Sequence, residues 1–312
     1  MNKCLVTKLC GVVDNESLLT IGEMRIGFAK VSNPTEFSQS LSIGVSTPML
    51  LSIIGDGYFT DRALLENKGK QITIGSEMSV NAVFVSSNVT QVSLKSKYDI
   101  VQFNKYYSSN NSGSSSCIIN IDDFKYSAKL TSLSLPSIQV SGDISALKNL
   151  TALTSLNLSS TSVSGDISAL KNLTALTILA LSSTTSILTG DISILKNATN
   201  LTSVNISKSK LTGDLALIPS SCRFLSFQND KGSKFTWSQR SENSKILAIE
   251  GSPVISDIDK MLINQAQCRS GISSSDANWY KTITVTGTRT SASDAAVQTL
   301  QSKGYTVSIT PA

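Results

Sequence analysis

The chain contains no histidine. That absence removes imidazole-based triads, Cys–His pairs, imidazole metal sites and the commonest general base. Cysteine is sparse and scattered: Cys4, Cys10, Cys117, Cys222 and Cys268, with no Cys-x-x-Cys among them. An odd, dispersed set reads as small core hydrophobes rather than a disulfide framework or a metal cage. Aromatics make up only 6% of the 312 residues, with two tryptophans. Walker-type Gly-x-x-x-x-Gly-Lys and Rossmann Gly-x-Gly-x-x-Gly phrases are missing, so no phosphate-cradling loop is expected. No apolar run is long enough to span a membrane. The opening MNKCLVTKLCGVVDNESL has its apolar stretch broken by Lys8, so no secretory leader is expected and the chain should be made and left in a cytoplasm. Charge is also unconcentrated. Of 27 basic and 22 acidic side chains, 10 and 9 fall in residues 1–108, leaving 17 and 13 for the rest. Without a basic patch or a basic-aromatic stripe, nucleic acid is not an expected partner.

What the chain does have is a repeat. SGDISALKNLTALTSL, SGDISALKNLTALTIL and TGDISILKNATNLTSV follow one another, and TGDLALIP degrades the pattern. The Gly-Asp pairs stand at 142–143, 165–166, 190–191 and 213–214, with spacings of 23, 25 and 23 residues. A fixed period in this range predicts a stacked solenoid. Each unit opens with Leu-x-x-Leu-x-Leu, as in Leu130, Leu133, Leu135 and Leu153, Leu156, Leu158. The closing alternation predicts a short strand with one buried face. A polar turn follows, then Val140, Val163, Leu188 or Leu211, then the Gly, which reads as a turn position needing φ > 0. Ile144, Leu147 and Leu150 recur at helical spacing, as do Ile167, Leu170 and Leu173.

Residues 130–218 resemble leucine-rich repeats of the short bacterial kind. The resemblance implies a solenoid that binds or displays rather than one that performs chemistry. The position where many such repeats place Asn holds Ile138, Thr161 or Ser209, so the turn must be bonded differently. The third unit, SSTTSILTGD, carries two extra residues. Upstream, Ile121 and Phe124 repeat the offsets of Ile144 and Leu147, which makes 117–129 the second half of an opening unit. Downstream, Phe224 and Phe227 are expected where Leu153 and Leu156 would recur. The units then lengthen: a strand at 245–249, a helix at 256–268, a strand at 282–287, and a helix with Ser291 and Asp294 at capping-box spacing, ended by Gly304 before a strand at 305–309.

Residues 1–105 show short β-prone runs punctuated by Gly, Asn, Asp and Ser, which predict an all-β sandwich- or barrel-like domain. Residues 106–116, within YYSSNNSGSSS, read as a flexible linker. The fold class expected is therefore α+β with repeats: a β head, a linker, and a leucine-rich-repeat domain over 117–312 with larger strand–helix units at its C-terminal end. In the head, MNKCLVTKLCGVVDNESLLTIGEMRI and IIGDGYFTD resemble N-terminal domains of structural proteins from crAss-like bacteriophages of gut bacteria. That resemblance implies a head that docks on a particle and a distal domain that faces outward. Lysis would release such a protein without a leader.

The conspicuous acids are Asp143, Asp166, Asp191 and Asp214. They share one repeat position and should stack roughly 5 Å apart. The expected role is to bond free backbone N–H groups at the start of the following turn; a Ca²⁺ row is the alternative, and a carboxylate-pair glycosidase remains formally open. Lys148, Lys171 and Lys196 form a second row, read as solvated or as a strip for glycans or anions. No catalytic, cofactor or metal residue is nominated, and no cofactor is expected.

The candidate binding surface is the outward strand face: Thr154, Ser155 and Asn157; Thr177, Ile178 and Ala180; Thr202, Ser203 and Asn205. Trp279 and Tyr280 are added as a tip contact or as packing. The expected function is non-enzymatic: a virion spike, fibre or decoration protein, homo-oligomeric, whose partners are other virion proteins and a host surface protein or glycan. The alternative is a bacterial adhesin or interaction protein binding a protein or glycan, exported by another route.

Overall fold

The computed structural model describes residues 117–312 apart from 137–138, 183–186, 229–231, 274 and 312, and before them the backbone of eight strands between residues 24 and 105. Those eight strands pair antiparallel among themselves. Two of them continue into the repeat region: Ile100–Lys105 runs parallel to Ser132–Ser134, and Met24–Phe28 runs antiparallel to Cys117–Asn120. The expected linker 106–116 lies outside the described residues.

From residue 117 on, each coil has three sides. The first is a three-residue strand: Ser132–Ser134, Ser155–Asn157, Ile178–Ala180, Ser203–Asn205 and Phe224–Ser226, each parallel to the next. The middle residue of each (Leu133, Leu156, Leu179, Val204, Leu225) is fully buried, while its two neighbours face the other way, as strand alternation demands. The second side is another parallel strand: Gln139–Asp143, Ser162–Asp166, Leu188–Asp191 and Lys210–Thr212. It points Val140, Val163, Leu188 and Leu211 inward. The third is a 3₁₀ turn: Ile144–Leu147, Ile167–Asn172, Ile192–Asn197 and Leu215–Leu217. Three residues per turn place Ile144 directly over Leu147, so both enter the core. The opening half-unit is present as Cys117–Asn120 followed by Ile121–Phe124.

Two local expectations are corrected. The Gly is not in a turn. It sits inside the second strand at φ +115° (Gly142, Gly165) or +114° (Gly190), and directly after it at +114° in the last unit (Gly213). And the Phe224–Phe227 pair is in a different register: Phe224 lies opposite Ser203 and Leu225 opposite Val204. Leu225 therefore fills the Leu156 slot and Phe227 the Leu158 slot. A three-residue spacing fits two alignments of Leu-x-x-Leu-x-Leu, and only burial decides between them.

At the C-terminal end true helices replace the 3₁₀ turns. Helix α1, Ile258–Gln267, is capped by Asp257, whose carboxylate accepts from Lys260 N at 2.8 Å. Helix α2, Asp294–Ser302, is entered through a 3₁₀ turn Ser291–Ser293. The cap is Thr290, which accepts from Ala292 N at 3.2 Å, and not the expected Ser291–Asp294 box. Gly304, at φ +89°, ends it. One hydrophobic core runs unbroken from Ile119 to Tyr305. The final strand, Thr306–Thr310, pairs with Thr282–Thr286 on one side only among the described residues.

Candidate functional site

The Asp row is placed by the second strand and used by the 3₁₀ turn. Asp143, Asp166, Asp191 and Asp214 each stand at a turn's N-cap and accept from the backbone N–H two residues on: Ser145 at 2.8 Å, Ser168 and Ser193 at 2.7 Å, Ala216 at 2.9 Å. In the opening unit Asn120 does the same for Asp122 N at 3.0 Å. A neutral amide thus fills the same role, so the position needs an acceptor and not a charge. Among the described residues no group of three or more His, Cys, Asp and Glu is placed to hold a metal ion. Lys148 and Lys171 share a shallow open groove with Asp143 and Asp166, and both rows are exposed to solvent except for the half-buried Asp214.

The strand face carries the nominated residues together on one surface. Ser155, Asn157, Thr177, Ala180, Ser203 and Asn205 are half-buried, Thr154 and Thr202 exposed, and Ile178 is 46% exposed. The threonines are committed to the scaffold. Thr154 Oγ1 donates to Thr131 O, Thr177 Oγ1 to Thr154 O and Thr202 Oγ1 to Thr177 O, each at 2.9 Å. This ladder ties each coil to the one before it. Asn157 accepts from Ser159 N at 3.1 Å and Asn205 from Ser182 Oγ at 2.6 Å. The turn that lacks the family's Asn is closed by Thr161, whose hydroxyl donates to Leu158 O at 2.6 Å, and by a Ser209–Ser233 hydroxyl pair at 3.1 Å.

Trp279 and Tyr280 separate in role. Both lie in the 3₁₀ turn Asn278–Lys281. Tyr280 packs edge-on against Phe224, with ring centroids 5.5 Å apart, and the Arg223 guanidinium lies 4.9 Å from the Tyr280 ring centre. Arg223 also pairs with Asp276 at 2.5 Å. Asp276 accepts from Ser273 N at 2.7 Å; that bond first, and then Arg223, hold its carboxyl below the usual range. Phe224, on the outward face, is left only 9% exposed, whereas Trp279 is 52% exposed beside Tyr280. The strand face therefore has an uncharged floor over its middle coils, of small side chains apart from Ile178, and an aromatic–arginine step at its C-terminal end. Sequence reasoning missed Arg223, Phe224 and Asp276. Aligning Cys222-Arg223-Phe224-Leu225 on Leu153-Thr154-Ser155-Leu156 would have shown a large cation and a ring replacing Thr and Ser.

No protein-family model matches the chain, and no curated protein does. Among solved structures, it is similar to the leucine-rich-repeat ectodomain of the Arabidopsis thaliana receptor kinase SOBIR1, at 20% identity and TM-score 0.35 over 44% of this chain and 75% of that one. It is similar to the ectodomain of the A. thaliana membrane receptor kinase GASSHO1/SCHENGEN3 in complex with CASPARIAN STRIP INTEGRITY FACTOR 2, at 20% identity and TM-score 0.40 over 61% and 22%. A plant ice-binding protein gives 20% identity and TM-score 0.36 over 53% of each chain. This chain thus spans about a fifth of the second structure and half of the third. The assignment of 117–312 to a leucine-rich-repeat-like solenoid rests on its own register, two parallel strands and a 3₁₀ turn per period over the repeats, with a buried Leu, Val or Ile at fixed positions.

Proposed function

We propose that this is a non-enzymatic interaction protein that displays the outward strand face of its solenoid, with the step at Arg223, Phe224, Trp279 and Tyr280 as the principal contact. The observation that carries this reading is the 52% exposure of Trp279 at the end of a face whose middle coils offer mainly Ser, Thr, Asn and Ala, with Ile178 the one large exposed apolar side chain among the nominated strand residues. Buried and half-exposed aromatics with Arg are the groups that dominate protein interfaces. The acids on which hydrolysis would depend are each engaged as turn caps. Within that role we assign the protein to a bacteriophage particle, as a spike, fibre or decoration protein. This assignment is supported by the phage-like segments of the head and by the division into a β-rich part and a repeat part. Mass spectrometry of density-purified, washed virions tests it. Peptides from both the head and the repeats support the assignment, and their absence from particles that contain the other structural proteins rejects it.

A second reading, a surface adhesin that binds a protein or glycan, is favoured by the same exposed Trp279 on a surface that also carries the half-buried amides Asn157 and Asn205. Binding screens with the Trp279→Ala chain as control separate the two. A host-surface ligand bound by a chain absent from virions supports the adhesin.

A further inference from the structure

We propose that the last strand, Thr306–Thr310, is a self-pairing edge through which two copies of the chain join their sheets antiparallel about a twofold axis. The backbone supplies the first part of the argument. Thr310 O accepts from Gly287 N at 2.9 Å, so the even-numbered residues of this strand turn their N–H and C=O toward Thr282–Thr286. Alternation then turns the N–H and C=O of Val307 and Ile309 away from the sheet. Among the described residues no strand takes them up.

The side chains supply the second part. Native edges are protected by charges, proline within the strand, bulges or a covering element. TVSIT has no charge, no proline and no bulge, and four of its five residues are β-branched. Pro311 follows it directly, which limits the usable edge to these five residues.

The third part is the order of those residues, which reads alike in both directions: Thr, β-branched aliphatic, Ser, β-branched aliphatic, Thr. An antiparallel pair centred on Ser308 sets Thr306 against Thr310 of the second copy, Val307 against Ile309, and Ser308 against itself. Thr–Thr and β-branched pairs are the favourable cross-strand combinations. Val307 and Ile309, the residues whose backbone groups point outward, become the hydrogen-bonded pairs, and Ser308 becomes the close, non-hydrogen-bonded pair on the axis. The same pairing covers Val307 and Ile309 side chains that a single copy leaves half-buried at the end of the core. Strand polarity and side-chain facing permit this register, full overlap of the five residues and pairing chemistry select it, and the interface is isologous as a closed dimer requires. It lies at the opposite end of the repeats from the head, so it can act with or without assembly there.

The test is light scattering after size exclusion on the full chain over a range of concentrations, since an edge this short gives a weak interface. The expected mass rises from 33.2 kDa toward twice that value. Ser308→Lys, which sets two like charges face to face, should hold it at the lower value with an unchanged circular-dichroism spectrum. A register test stands beside it. Ser308→Cys should crosslink to its own copy on oxidation, because a close antiparallel pair lies about 4.5 Å apart, within disulfide reach. Thr306→Cys should not, its two copies being roughly 13 Å apart, but mixed with Thr310→Cys it should. A parent chain that stays monomeric, a dimer that persists in Ser308→Lys, or equal self-crosslinking of Ser308→Cys and Thr306→Cys overturns the proposal.

Discussion

A Cβ built on Gly165 would stand 2.7 Å from Asp143 Oδ1, the carboxylate oxygen that caps the preceding coil. The Gly of one unit and the Asp of the unit before it are thus a single packing motif, repeated as Gly142 on Asn120, Gly190 on Asp166 and Gly213 on Asp191. Two independent constraints meet at each Gly: a φ near +115° that side chains avoid, and a neighbour that leaves no room. Gly165→Ala should lose about 1–3 kcal/mol of stability, read as a lower urea midpoint. Adding Asp143→Ala removes the close approach but not the backbone strain. The double variant should therefore be less unstable than the sum of the two single changes. Strict additivity in that cycle would mean that the two residues do not meet.

Asp166→Ala should cost about 1 kcal/mol, the usual worth of an N-cap, while Asp166→Asn should cost much less. Asn120 already shows the amide acting as the cap. A Ca²⁺ row predicts the reverse, with Asn as damaging as Ala and a melting temperature that rises with Ca²⁺ and falls with chelator. A calcium-independent melt with Asn close to the parent chain confirms the cap role.

The Leu strands were legible in the sequence because they repeat by translation: Leu133, Leu156 and Leu179 must stack if the units stack at all. The caps were legible for the same reason. The second sheet was hidden because Gly142 and its equivalents, next to Ser or Thr and Asp, carry turn chemistry, and only the coil below explains a Gly at φ +115° inside a strand. The aromatic step was hidden by distance. Arg223 and Asp276 lie 53 residues apart in sequence, and no local pattern links them. The register slip at Phe224 has a third cause. Phe at an outward position contradicts alternation until Tyr280 is known to cover it.

Arg240 is 2% exposed and has no carboxylate partner among the described residues. Its guanidinium donates instead to the carbonyls of Ile218, Pro219, Cys222 and Lys245, at 2.5, 3.0, 3.4 and 3.3 Å. It closes the turn that leads into the Phe224–Ser226 strand, and burial lowers its pKa and raises that of Cys222 to about 11. Arg240→Ala removes all four guanidinium hydrogen bonds and opens a cavity, so it should cost about 3 kcal/mol or more. Arg240→Lys, with three donors on a narrower head, should recover only part of it. Chemical denaturation of the three chains checks the order.

Asp259 on α1 accepts from the Ser293 hydroxyl at 2.5 Å, the Thr290 hydroxyl at 2.6 Å and Thr290 N at 3.1 Å. It thereby fixes the entry to α2. These donors, Ser293 foremost, hold its carboxyl below its ordinary 3.8. A depressed folded-state pKa gives stability that is fully present above the unfolded value and lost as pH falls through the folded one. The parent chain should therefore exceed Asp259→Asn in melting temperature at pH 6, with the gap narrowing below about pH 4. A gap that is constant with pH would show that the carboxylate charge plays no part in holding α2.

Trp279 and Tyr280 are adjacent in sequence and opposite in consequence. Tyr280 is held by Phe224 and Arg223, so Tyr280→Ala uncovers Phe224 and unseats the cation. It should lower stability by about 2–3 kcal/mol. Trp279 has half its surface in water, and Trp279→Ala should change stability by less than about 1 kcal/mol. If the step is a contact site, the two substitutions should both abolish ligand capture, yet only Tyr280→Ala should shift the denaturation midpoint. A Trp279→Ala chain that is fully stable and still binds would move the contact off the step and onto the strand floor, where Asn157 and Asn205 would be the next positions to change.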